Sequence, residues 1–129
     1  MKHQILLLED SFLNRELLCD WLEGEGYEVV VAEDLNTGLA AVRDHSPDLV
    51  LLDVQLGADD GLRFAKWMSN EPELQLVPVI AVTAQAMPAD RERILESGCK
   101  ACIAKPVDFV LLRTSLQRWL PSRDPVNLA

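Results

Sequence analysis

The 129-residue chain predicts a doubly wound α/β fold built on a five-stranded parallel sheet. Three observations carry this. Short apolar runs alternate with amphipathic helical segments almost from end to end, which is the pattern of βαβ units. The interiors of those runs are uncharged, as expected of strands covered on both faces. Each of four runs also ends in residues able to handle phosphate or a metal: Glu9-Asp10, Asp53, Thr83 and Lys105-Pro106. The carboxyl ends of parallel strands share one sheet edge, where ligands bind in such folds.

The elements follow in order. Residues 4–9 read as a buried strand. Residues 11–25 form an amphipathic helix with Leu13, Leu17, Leu18, Trp21 and Leu22 at helical spacing, stopped by Gly24 and Gly26. Tyr27-Glu28-Val29-Val30-Val31 is a β-branched strand, and Asp34 is placed to cap a helix running to about residue 44. Pro47 precedes a strand over 48–53, a loop runs from Gly57 through Gly61, and a helix follows over 62–70. The fourth strand covers 77–83, and Pro88 opens a helix that reaches Ser97 and ends at Gly98. A fifth strand spans 100–104 and a last helix about 108–120. Residues 1–120 are thus expected to form one domain, and 121–129, with two prolines in nine residues, a flexible C-terminal tail.

Composition narrows the function. A net charge of -9 argues against nucleic acid or an anionic membrane as the main partner, since both repel an acidic surface. No stretch approaches the roughly 20 apolar residues that span a bilayer, and the start of the chain lacks a signal-peptide core; a cytoplasmic location is expected. Cys19, Cys99 and Cys102 are an odd number and do not form a disulfide framework. Cys99 and Cys102 make a Cys-x-x-Cys, but zinc needs four ligands, and a redox pair should open a helix rather than sit in a strand.

Glu9, Asp10 and Asp53 form an acidic cluster suited to a hard cation such as Mg²⁺ or Mn²⁺, which takes oxygen ligands and needs only one or two direct carboxylates. A carboxylate can also attack phosphorus to give an aspartyl phosphate. Lys105 is a point charge able to pair with a carboxylate or phosphate oxygen, and Thr83 offers a hydroxyl donor.

Taken in order, these motifs resemble the receiver domains of bacterial two-component response regulators over residues 4–119. The set is Glu9-Asp10, Asp53, Asp60-Gly61, Thr83-Ala84 and Lys105-Pro106. The stretch Ala81-Val82-Thr83-Ala84-Gln85-Ala86-Met87-Pro88 is also similar to receivers of hybrid kinases and stand-alone regulators. The resemblance implies a flavodoxin-like (βα)5 fold with strand order 2-1-3-4-5. It implies Asp53 as phosphoacceptor and Mg²⁺ held by Glu9, Asp10, Asp53 and the main-chain carbonyl of Gln55. It also implies Thr83, with Ala84, as the switch position, Lys105 as the phosphate-pairing lysine, and a cis peptide before Pro106. Gln55 and Gln85 are expected to border the attacking water. The implied partners are a histidine kinase or histidine phosphotransfer protein as donor, and a downstream protein on the face around 87–119, the chain being a monomer or weak dimer.

Two positions depart from the family pattern. Leu56-Gly57 stands where many receivers carry Met-Pro, and Cys102 replaces the aromatic switch residue. Two other functions stay in view: a pseudo-receiver that signals without phosphate, which the loss of the aromatic at Cys102 keeps open, and an aspartyl-phosphate phosphatase of the haloacid dehalogenase type, which also uses Asp and Mg²⁺. The latter expects an Asp where this chain has Gln55.

Overall fold

The strand Leu49–Asp53 (β3) is buried at every residue, which requires cover on both sheet faces. The computed structural model describes residues 2–120; the tail expected over 121–129 lies outside them. β3 is the middle of a five-stranded sheet with Gln4–Leu8 (β1), Glu28–Ala32 (β2), Val79–Thr83 (β6) and Ala101–Ala104 (β7). Every pairing in it is parallel, and the strands lie in the order β2-β1-β3-β6-β7. Counted along this sheet alone, that is the expected 2-1-3-4-5.

Five helices complete the unit: Phe12–Gly24 (α1), Leu35–His45 (α2), Leu62–Asn70 (α3), Pro88–Glu96 (α4) and Phe109–Trp119 (α5). Because neighbouring strand residues point to opposite faces, the sheet divides the core in two. Leu6, Leu8, Val50 and Leu52 face a cluster with Val42 of α2, Met68 of α3 and Ile94 of α4. Ile5, Leu7, Leu49 and Leu51 face Leu18 and Leu22 of α1 and Leu112 and Leu116 of α5. The caps follow the sequence: Asp34 accepts from Thr37 N at 2.8 Å, and Pro88 starts α4.

The structure differs from the sequence reading at several element ends, β6 among them, which begins at Val79 rather than at 77, and at two places in particular. β2 begins at Glu28 rather than Tyr27, because the register pairs Gln4 with Glu28 and Leu8 with Ala32. The segment expected as a plain loop over 57–61 is in part a two-stranded antiparallel hairpin, Gln55–Leu56 (β4) against Asp59–Asp60 (β5). Gly57 turns it with φ +60, a left-handed conformation that favours glycine.

Candidate functional site

The carboxyl ends of β1, β3, β6 and β7 bring Glu9, Asp10, Asp53, Thr83 and Lys105 to one open cleft, walled on one side by the β4–β5 hairpin. All the strand-end residues singled out in the sequence therefore meet. Lys105 lies at its centre, with Nζ 3.0 Å from Asp53 Oδ2 and 3.1 Å from Glu9 Oε1. Residues 96 and 52 positions away in the chain are joined by this one ammonium. The Lys105–Pro106 peptide is cis, as the resemblance implies.

Each side chain is held by its own backbone. Asp53 Oδ1 accepts from Gln55 N at 3.1 Å, so the turn after β3 orients the carboxylate. Glu9 Oε2 accepts from Ser11 N at 3.2 Å, and Arg15 Nη1 donates to the Glu9 carbonyl at 3.1 Å. Thr83 Oγ1 accepts from Gln85 N at 3.0 Å, which leaves the hydroxyl proton free to donate elsewhere. Gly61 closes the turn after the hairpin, its N–H donating to the Val54 carbonyl at 2.6 Å. A Cβ at Gly61 would overlap the carbonyl oxygen of Asp53, so the end of β3 needs glycine here for space.

The electrostatics ask for a cation. Glu9 is only 1% exposed. Burial, then its hydrogen bond to Asp53 and the charge there, push the Glu9 carboxyl from 4.5 up to about 7, against the lowering effect of Ser11 and Lys105. Burial pulls the Lys105 ammonium down, but Asp53 and Glu9 outweigh it and raise it overall. Two carboxylates thus share one lysine, and an unpaired buried negative charge is costly. Carboxylate oxygens of Glu9, Asp10 and Asp53 all lie within 4.8 Å of one another. This all-oxygen set, with Asp10 exposed to solvent, fits a hard divalent cation that keeps some of its waters.

Three features were not read from the sequence. The first is the β4–β5 hairpin itself, whose two-residue strands carry no period. In the second, Arg93 of α4 reaches across the cleft mouth to Asp60 of the hairpin, Nη1 to Oδ2 at 3.0 Å. In the third, Arg91 of α4 donates from Nε to the Ala86 carbonyl at 3.1 Å and from Nη1 to the Cys102 carbonyl at 3.4 Å. Only the fold puts these arginines beside their partners. Among the described residues, the Cys-x-x-Cys pair belongs to no group of three or more metal-ligating side chains. Cys99 is buried with Ser97 Oγ 3.7 Å from its sulfur, and burial pushes its thiol up to about 11. Burial also raises the half-buried Cys102, with Arg91 opposing.

Comparison with known proteins agrees with this fold. Residues 5–117 match the response regulator receiver domain. The polar-differentiation response regulator DivK of Brucella anthropi is 43% identical over 120 residues, covering 93% of this chain and 98% of that protein. Among solved structures, the receiver domain of the sensor histidine kinase PA1611 from Pseudomonas aeruginosa PAO1 superposes with a TM-score of 0.85 at 31% identity. That alignment covers 95% of this chain and all (100%) of that one, and that crystal structure carries a magnesium ion coordinated in its active-site cleft. The Vibrio cholerae chemotaxis protein CheY4 superposes with a TM-score of 0.86 at 25% identity, covering 93% of this chain and 100% of its own.

Proposed function

Because this chain belongs to the response regulator receiver domain family, we propose that Asp53 accepts a phosphoryl group from a phosphohistidine donor. The observation that supports this most is the Lys105 ammonium held between Asp53 and Glu9 at the sheet edge. In the transfer, an Asp53 carboxylate oxygen bonds to phosphorus as the phosphorus–nitrogen bond to the donor breaks. The electron pair leaves on the imidazole nitrogen. Lys105 steadies the acceptor and then a phosphoryl oxygen, and Thr83 turns its free hydroxyl proton to another oxygen. Gln85 and Gln55 flank the site and govern access of water to the product.

Glu9, Asp10, Asp53 and the Gln55 carbonyl would hold Mg²⁺ or Mn²⁺. When bound, the ion neutralises charge on the transferring phosphoryl oxygens. The chain is thus a phosphoacceptor that assists its own modification rather than an enzyme acting on a metabolite. A histidine kinase or histidine phosphotransfer protein supplies the phosphoryl group, and a protein target reads the result on the face around residues 87–119, in the cytoplasm. No helix among the described residues is long and apolar enough to cross a membrane.

Acetyl phosphate with Mg²⁺ tests this. Intact-mass measurement should show one added phosphoryl group, which Asp53→Asn abolishes. A wild-type protein that takes no adduct would overturn the proposal in favour of a phosphate-independent interaction module. Steady turnover of a small phosphoester would favour the phosphatase.

A further inference from the structure

Glu9, Asp10, Asp53, Asp59 and Asp60 all line the cleft into which a phosphodonor must come, and among the described residues only Lys105 and Arg93 line it with positive charge. A phosphoryl donor carries negative charge of its own, so its approach to this acidic mouth is opposed. Lys105 already serves two carboxylates at the floor. Arg93 is differently placed. Its side chain is 51% exposed, it stands at the rim, and it pairs with Asp60 through Nη1. A guanidinium offers five donors in a fork matched to phosphate, so most of its capacity remains open.

We propose that Arg93 is a positioning residue for the phosphodonor, recruiting its phosphoryl oxygens at the cleft mouth in competition with Asp60. This rests on the reading of Asp53 as acceptor. Asp60 has two separate jobs. Its Oδ1 accepts from Leu62 N at 3.0 Å at the start of α3, while Oδ2 holds Arg93. Asparagine keeps the first contact and weakens the second, which makes the two residues separable. If Arg93 recruits the donor, freeing it from Asp60 speeds phosphorylation, whereas removing it slows phosphorylation. If the pair is only a brace between α4 and the hairpin, breaking it from either side has the same effect.

The test is the rate of phosphorylation by acetyl phosphate at saturating Mg²⁺, followed by intact mass. In this reaction Asp53 oxygen bonds to phosphorus, the phosphorus–oxygen bond to the acetyl group breaks, and acetate leaves with the electron pair. Arg93→Ala should slow the second-order rate about twofold to fivefold, within the range for an exposed charge contact, and Arg93→Lys should restore part of it. Asp60→Asn should run at or above the wild-type rate. Because salt screens the repulsion of the acidic mouth, the Arg93→Ala rate should also rise more steeply with ionic strength than the wild-type rate, a readout a brace would not move. Equal slowing in Arg93→Ala and Asp60→Asn, or no slowing in Arg93→Ala while the wild type is phosphorylated, would overturn this inference alone. No adduct on the wild type would overturn the reading of Asp53 beneath it.

Discussion

Glu9 is a carboxylate in a place that disfavours its charge, and this has a measurable cost. Its carboxyl is held up to about 7 in the fold against 4.5 for an ordinary glutamate. Between those values the folded protein binds more protons than the unfolded chain, so the Glu9 contribution to stability falls as pH rises through that window. Above about 7 the penalty is complete. Lys105 is also raised, from 10.5, but its stabilisation is lost only in strongly alkaline solution. The metal-free protein should therefore lose melting temperature between pH 5 and pH 8, and Glu9→Gln should flatten that slope. A Mg²⁺ ion held at Glu9 would compete with the proton there, so on the proposed site added Mg²⁺ should raise the melting temperature more at pH 8 than at pH 5.5. Equal gains at both pH values would show that Glu9 is not part of the cation site. The residues of this site were legible because a parallel sheet collects the ends of its strands at one edge. Glu9, Asp53, Thr83 and Lys105 could thus be placed together from their positions alone.

At the scale of elements, legibility followed the strength of the local pattern. The five long strands and five helices announce themselves by apolar runs, caps and glycine stops. The β4–β5 hairpin does not. Two residues on each side, one of them the polar pair Asp59-Asp60, give no period to read. The contacts of α4 were equally hidden, because Arg93 and Asp60 lie 33 residues apart and meet only once the hairpin is folded. Arg91, tied to the carbonyls of Ala86 and Cys102, links the loop after Thr83 to β7. The hairpin also explains Gly61, whose φ of -59 any residue can adopt. The demand at that position is for space beneath the Asp53 carbonyl. Gly61→Ala should therefore destabilise the protein by about 1–3 kcal/mol, as overpacking does, and should also lower the phosphorylation rate by displacing Asp53. Urea denaturation and the acetyl phosphate assay read the two effects. A variant with unchanged stability would mean that the turn moves aside at no cost.

The whole molecule is two cores sharing one sheet, and that arrangement decides how damage spreads. Met68 of α3 is buried in the cluster that also holds Leu52, while Leu116 of α5 is buried in the one that holds Leu51. The two side chains share no cluster, yet both lean on β3. Removing either should leave a cavity and cost about 2–5 kcal/mol, because a close-packed interior relaxes only partly. With the sheet between them, the two losses should add to within about 0.5 kcal/mol. The transition should nevertheless stay single, since β3 is hydrogen-bonded to strands on both sides and lines both cores, so neither layer can melt and leave the other a complete sheet. The site depends on the same strand, because Asp53 is its last residue. Met68→Ala and Leu116→Ala should thus lose phosphorylation competence at the same urea concentration at which each loses secondary structure. Equilibrium unfolding of the single and double variants, followed by circular dichroism and by acetyl phosphate labelling, checks both points. Two separated transitions, or a double variant much more stable than the sum, would show that the layers on either side of the sheet unfold independently.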